Sequence, residues 1–156
     1  TFCSSRHPFN EESFLQATLM VYGWMPTSLK LKGNLEKSIS ATNSLLKLKK
    51  PETHLLTVAH ESINNSIVGL SKLLHFSEPT IFPIWDSKIA ELQFNIKYQY
   101  AYNKPQPYIE YFKLVHKTIN SSAINEIRKF AHRNIPYQVT DVRAVEYFIF
   151  NGRIIA

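Results

Sequence analysis

The chain has 156 residues, enough for one compact domain and too few for two of ordinary size. An apolar fraction of 44% excludes global disorder, and four glycines exclude a Gly-rich phosphate-binding loop. A single cysteine, Cys3, excludes an internal disulfide or a cysteine-ligated cluster held by this chain alone, while the formal net charge of +6 favours a polyanion as partner.

The same features bear on cellular location. One unpaired cysteine is typical of a reducing compartment. No apolar run approaches the roughly 18 residues that a bilayer span requires, and residues 1–9 lack the apolar core of a signal peptide. We therefore expect a cytoplasmic protein with no membrane partner, built as a single helical domain over residues 1–156.

Apolar residues at helical spacing predict the first three helices. The first covers residues 11–24, follows Asn10 as a candidate N-cap, and ends at Pro26. The second covers residues 35–48 and closes with lysines, which suit a helix C-terminus and favour a solvated helix end over a nucleic-acid patch. The third covers residues 52–67 and loosens at its end.

Two more helices, over residues 67–76 and 84–92, flank a connection that two prolines mark. Pro79 and Pro83 each fix their own φ and restrict the residue before them. We therefore expect a stiff loop that holds Trp85 and Asp86 in a fixed place.

The remaining pattern predicts helices over residues 107–118, 122–132 and 140–150. Between them and the preceding helix, residues 98–102 are rich in tyrosine and also fit a strand. The expected fold is all-α, a compact array of about seven or eight helices.

Two short motifs suggest enzyme chemistry and are discarded. His60 and Glu61 begin a metalloprotease-like pattern, but Asn64 occupies the position of the second histidine ligand. Ser44 and Lys47 have the Ser-x-x-Lys spacing without the companion motifs of acyl-transfer enzymes. We predict no metal site and no cofactor.

The segment from Gly69 to Ile89 has the most unusual content. It combines a glycine at a helix start, a Ser-Lys pair, a histidine, the stiff loop and an aspartate beside a tryptophan. All of this fits a structural role, with Gly69 permitting close packing, Trp85 in the core and Asp86 capping a helix through the amide of Lys88 or Ile89.

The segment also resembles the helix-hairpin-helix DNA glycosylases, particularly their adenine-mismatch branch. Residues 68–72, Val-Gly-Leu-Ser-Lys, are similar to the start of the second hairpin helix, and residues 82–89, Phe-Pro-Ile-Trp-Asp-Ser-Lys-Ile, to the stretch with the catalytic aspartate. Two features depart from the pattern: Ile67 stands in place of the first hairpin glycine, and the interval from Ser71 to Asp86 is short.

The resemblance implies a role for each matched residue. Asp86 would be the essential carboxylate, which stabilises the developing oxocarbenium ion and orients a water molecule. Ser71 in place of the lyase lysine would imply a monofunctional enzyme, and Lys72 would take that position if the register slips by one. His75 would protonate the departing base, with a buried structural histidine as the alternative.

Binding roles complete this hypothesis. The backbone amides of Val68, Gly69 and Ser71 at the helix start, together with Lys88, would bind DNA. The flipped base would enter an aromatic pocket formed by Phe76, Phe82 and Trp85. The predicted function is hydrolytic excision of a modified or mismatched base; the alternatives are a non-catalytic module that binds DNA or other nucleic acid, and a helical protein-interaction domain.

Overall fold

The structure is a computed structural model that describes residues 8–155. Within this range all regular secondary structure is helical, and the elements are α1 (Glu11–Tyr22), α2 (Leu35–Leu48), α3 (Thr53–Glu61), α4 (Ile67–Ser77), α5 (Ser87–Phe94), α6 (Gln99–Tyr102), α7 (Pro105–Ile119), α8 (Ile124–Asn134) and α9 (Asp141–Phe150). The prediction of an all-α fold is confirmed. The additional helix is α6, a single turn in the tyrosine-rich segment where a strand was the competing prediction.

Side-chain caps set several helix starts. Asn10 accepts a hydrogen bond from the Ser13 amide at 2.8 Å, while the Ser13 hydroxyl accepts from the Asn10 amide at 3.0 Å. Asn34 caps α2 in the same way through the Lys37 amide. These short polar residues satisfy amides that have no partner within the helix, which is why each helix begins where it does.

The predicted helix over residues 52–67 is wrong beyond Glu61, although the loosening predicted near its end is present. α3 ends at Glu61, and the following turn holds Asn64 and Asn65 with φ of 54° and 53°. Two consecutive left-handed residues cannot continue a right-handed helix, so a new helix has to begin beyond them. Ser66 starts α4 by accepting a hydrogen bond from the Gly69 amide at 3.1 Å.

Helices α1 to α4 pack on one another, and α9 packs against α5, α7 and α8. Contacts between α3 and α7 join the two groups around one apolar cluster. The largest fully buried side chains include Trp85, Tyr108 and Tyr111, which places the loop before α5 at the centre of the molecule. None of the helices in residues 8–155 has both the length and the apolar character that a membrane crossing requires.

Candidate functional site

Residues 79–86, here called the clamped loop, connect α4 to α5. Side chains from three other parts of the chain bind its backbone polar groups. The bonds join Thr140 Oγ1 to Pro79 O (3.1 Å), His116 Nε2 to Ile81 O (2.7 Å), His75 Nδ1 to Phe82 O (2.7 Å), Tyr108 Oη to Pro83 O (3.2 Å), the Glu146 carboxylate to Ile84 N, and Ser71 Oγ to Trp85 N (2.9 Å). The loop is therefore fixed by its hydrogen bonds as well as by its two prolines.

Glu146 is the one acidic residue among the six side chains that bind the clamped loop. Its side chain is fully buried, with Oε1 accepting from the Ile84 amide and Oε2 accepting from Arg143 Nη1 at 2.8 Å. Sequence reasoning missed it, although one signal was present: Glu146 lies at helical spacing between Val142 and Ile149 on the buried face of α9. An acidic residue on an apolar stripe requires buried partners, and the clamped loop provides one.

Two tyrosines of α7 lie near this carboxylate. Burial, with the nearby charge of Glu146, raises the pKa of Tyr108 and of Tyr111 well above the ordinary value. Tyr108 donates to the clamped loop, whereas Tyr111 Oη is buried with no hydrogen-bond partner among residues 8–155. The raised pKa values keep both phenols neutral, and the Tyr111 ring packs on Trp85 with 5.3 Å between centroids.

Asp86 ends the clamped loop and caps α5. Its Oδ1 accepts a hydrogen bond from the Lys88 amide at 2.9 Å, as expected for an N-cap. No partner for Oδ2 is found among residues 8–155. Asp86 is half-buried, and one of its carboxylate oxygens remains free for another group.

Asp86 lines a pocket of about 240 Å³, here called the Asp86 pocket. Four segments form it: the end of α1, the turn into α4, the start of α5, and α6 with the residue after it. The lining residues are Tyr22, Met25, Thr27, Asn64, Asn65, Ser66, Val68, Asp86, Ser87, Gln99, Tyr102 and Asn103. Asp86 is the one charged residue in this lining, and amides and hydroxyls supply most of the other polar groups.

Hydrogen bonds between the segments hold the pocket walls together. Asn103 Oδ1 accepts from the Ile67 amide at 2.8 Å, and Asn103 Nδ2 donates to Asn65 O at 2.7 Å. Asn64 binds the backbone of Ser28 and Lys30 in the connection between α1 and α2. The pocket is thus built by specific side chains rather than left between loosely packed helices.

Tyr22 closes the pocket on the side of α1. Its hydroxyl donates to Ile63 O at 3.3 Å, and burial raises its pKa to about 12, although the hydrogen bond with Ser66 lowers it. The phenol therefore stays protonated throughout the physiological pH range and acts as a neutral wall.

The residues of α4 assigned to DNA binding or to the lysine position differ in burial. Val68 lines the pocket, and its amide has no partner among residues 8–155. Lys72 lies one helical turn further on the same face and is half-buried. Gly69 and Ser71 flank this face on its two sides and are buried, and Ser71 Oγ donates to Val68 O at 2.8 Å and accepts from the Trp85 amide. A direct contact of Gly69 or Ser71 with DNA does not fit this structure.

The predicted aromatic base pocket is not formed. Phe82 and Trp85 are fully buried, and Trp85 Nε1 donates to Tyr102 O at 2.8 Å. Phe76 is 36% exposed and packs edge-on against His75, outside the lining of the Asp86 pocket. The aromatic residues that do line the pocket are Tyr22 and Tyr102. Apolar spacing in the sequence could not distinguish core aromatic residues from pocket aromatic residues, because both occur at the same helical spacing.

His75 and Lys88 also lie away from the pocket lining. The His75 side chain is buried, and its Nδ1 must carry a proton because a carbonyl oxygen, that of Phe82, can only accept. The same Nδ1 lies 3.6 Å from Glu146 Oε1, which fits the structural alternative for this histidine. Lys88 is exposed, with Nζ 4.0 Å from the centroid of the Phe150 ring.

No metal site forms in the described part of the chain. Groups of three or more His, Cys, Asp or Glu side chains placed to ligate one ion are absent from residues 8–155. His60 of the discarded metalloprotease-like pattern is buried in α3, and burial lowers its pKa despite the opposing effects of the Thr57 backbone and Glu61. Cys3 lies outside the described residues.

In comparisons with known proteins, the chain matches no family model, no curated sequence and no solved structure. The resemblance to the helix-hairpin-helix glycosylases therefore remains a hypothesis. The Asp86 pocket provides one carboxylate on a fixed loop, surrounded by neutral polar groups.

Proposed function

We propose that the chain is a glycosylase-like protein that binds DNA and hydrolyses the N-glycosidic bond of a modified or mismatched nucleotide. One observation supports this most: the clamped loop fixes Asp86 in a small polar pocket with one carboxylate oxygen free. The pocket also includes the first turn of α4, where the free Val68 amide suits a phosphate oxygen.

The chemistry requires a fixed negative charge beside the sugar. When the bond between C1′ and the base nitrogen breaks, its electron pair leaves with the base and positive charge develops on the sugar. Asp86 would stabilise that charge and accept a proton from the water that attacks C1′. Asp86 keeps its position without rearrangement because six side chains hold the clamped loop, and this kind of preorganisation makes electrostatic stabilisation effective.

The size and polarity of the pocket fit a single base. A volume of about 240 Å³ is smaller than the pockets that hold drug-sized ligands. Thr27, Ser87 and Gln99 line it with polar side chains that make no hydrogen bond elsewhere in residues 8–155. These groups could bind the edge of a base, while the Tyr102 ring offers it a face.

One observation favours a second candidate, a nucleic-acid-binding module without catalysis. The residue predicted to protonate the leaving base, His75, donates its Nδ1 proton to the clamped loop, and the pocket lining contains no histidine, lysine or arginine to replace it. Base departure would then need a proton from solvent. A module of this kind would bind DNA and leave every base in place.

Asp86→Asn tests the proposal. Asparagine is as good an N-cap as aspartate, so the variant removes the charge and keeps α5. On a panel of single strands and duplexes that each contain one modified base, together with mismatched duplexes, we expect the wild-type protein to release a base from at least one substrate and the variant to be slower by about 100-fold or more.

Glu91→Gln is the matched control, since it removes one negative charge from the same helix at an exposed position. It should release the base at the wild-type rate. Equal rates for wild type and Asp86→Asn would refute the proposal. DNA binding without base release from any single strand or duplex would support the binding module, and absence of DNA affinity at moderate salt would support a protein-interaction domain.

A further inference from the structure

Three of the four most exposed aromatic side chains of residues 8–155 adjoin, along the chain, residues that line the Asp86 pocket. Four exceed 60% exposure: Trp24 at 85%, Tyr100 at 72%, Tyr137 at 68% and Tyr98 at 66%. Trp24 lies in the chain between the pocket residues Tyr22 and Met25, and both Tyr98 and Tyr100 adjoin the pocket residue Gln99. Three of the four therefore belong to segments that form the pocket walls.

Tyr98 and Tyr100 form a stacked pair. Their ring centroids are 5.7 Å apart and their planes differ by 17°, so the two rings are nearly parallel and offset. Both remain largely exposed in spite of this contact. Exposed aromatic surface costs free energy in water, and a parallel pair at the edge of a polar pocket is suited to stack against a further planar ring.

The charged residues of the two sequence segments that contain these rings are all lysines. Residues 92–109, which contain the tyrosine pair, include Lys97 and Lys104 and no acidic residue. Residues 13–35, which contain Trp24, include Lys30 and Lys32 and likewise no acidic residue. All four lysines are exposed. Aromatic rings interleaved with lysines are complementary to a polyanion that carries planar rings. Asp86 in the pocket and Glu61 beside Gly33 are carboxylates close to these segments.

We propose that Tyr98 and Tyr100 form a stacking platform for unpaired bases of single-stranded DNA, and that the four lysines contact its phosphates. This inference rests on the proposed function and narrows its substrate to a modified base in single-stranded DNA, since a mismatch exists only in a duplex. In a duplex, each base is already stacked on its neighbours, whereas in a single strand its face is free to stack on tyrosine. A target base in a single strand also reaches the pocket without the cost of leaving a duplex.

Fluorescence anisotropy with a labelled single strand of about 16 nucleotides tests the platform. The double variant Tyr98→Ala/Tyr100→Ala should raise Kd by about tenfold or more, because each stacked base contributes substantially to affinity. The double variant Tyr98→Phe/Tyr100→Phe keeps both ring faces and should stay within about twofold of wild type. Circular dichroism should show all variants folded, since the altered side chains are exposed.

Tyr137→Ala is the matched control, because Tyr137 is equally exposed and lies in the connection between α8 and α9. It should bind as wild type does. The platform is refuted if the alanine double variant binds as tightly as wild type, if Tyr137→Ala loses as much affinity, or if a fully paired duplex binds as well as the single strand.

Combining this assay with base release separates the two proposals. If Asp86→Asn abolishes base release while the alanine double variant binds normally, the platform fails and the proposed function stands. If the alanine double variant loses affinity and no protein releases a base, the platform stands and catalysis fails.

Discussion

Gly69 shows how one position can fit two explanations. The resemblance to glycosylases assigns it to a DNA-binding hairpin, but in the structure it allows α1 and α4 to approach. A Cβ atom added at Gly69 would lie 2.5 Å from Tyr22 Oη, 3.2 Å from Tyr22 Cζ and 3.3 Å from Ile63 Cγ2. Glycine is required here by the tyrosine that closes the Asp86 pocket.

Gly69→Ala should therefore lower the free energy of unfolding by about 1–3 kcal/mol, as overpacked core substitutions do. Urea unfolding at neutral pH measures the change. Gly23→Ala is the control, since its nearest neighbours lie at 3.4 and 3.5 Å and ordinary contact results. Adding Tyr22→Phe to Gly69→Ala removes the closest atom and should recover part of the loss. Unchanged stability of Gly69→Ala would show that Tyr22 yields freely.

At the scale of elements, the clamped loop depends on one buried carboxylate. Replacing Glu146 by glutamine leaves an acceptor for either Ile84 or Arg143, while its amide group faces the other donor. We expect Glu146→Gln to lower the free energy of unfolding by about 2–3 kcal/mol and to speed hydrogen exchange at the amides of Ile84 and Trp85.

The exposed substitution Glu91→Gln should change stability by no more than about 0.5 kcal/mol. If Glu146→Gln keeps full stability and slow exchange at both amides, the carboxylate does not hold the loop. If Glu91→Gln costs as much, loss of a negative charge alone explains the effect.

Most helices could be predicted because their signals are local. Apolar spacing together with Asn10 as a cap identified α1, and the prolines identified a stiff connection before Asp86. The partners of that connection could not be predicted, since Thr140 and Glu146 lie more than sixty residues away from the groups they bind. The sequence predicted only part of the site. Asp86 and Val68 do line one pocket, whereas Phe82 and Trp85, which were assigned beside them, belong to the core.

At the scale of the whole molecule, four of the basic residues behind the net charge of +6 lie in two segments that also line the Asp86 pocket. The two acid-free segments beside the Asp86 pocket carry four exposed lysines. The lysines that close α2 lie elsewhere, beside a separate surface groove that Lys47 and Lys49 help to line. The sequence favoured a solvated helix end for the α2 lysines. Binding experiments can show which of the two lysine groups contacts DNA.

Single-stranded DNA affinity should fall steeply between about 50 and about 200 mM salt, because phosphate contacts release counterions. Lys97→Gln and Lys104→Gln should each reduce the slope of log K against log salt by about one. Lys47→Gln and Lys49→Gln should leave the slope unchanged. The reverse pattern, a slope that depends on the α2 lysines, would place the DNA elsewhere on the molecule.

The clamped loop binds side chains that lie more than sixty residues further along the chain, so it cannot be completed until those residues have been synthesised. Domains form as the chain leaves the ribosome from its N-terminus, so Asp86 emerges well before Thr140 and Glu146. Until α9 follows, the backbone groups of Pro79 and Ile84 have only water as partners in place of Thr140 and Glu146. A nascent chain that already contains every residue of the Asp86 pocket therefore still lacks two of the side chains that hold the clamped loop, and Asp86 becomes fully fixed only after α9 has been synthesised.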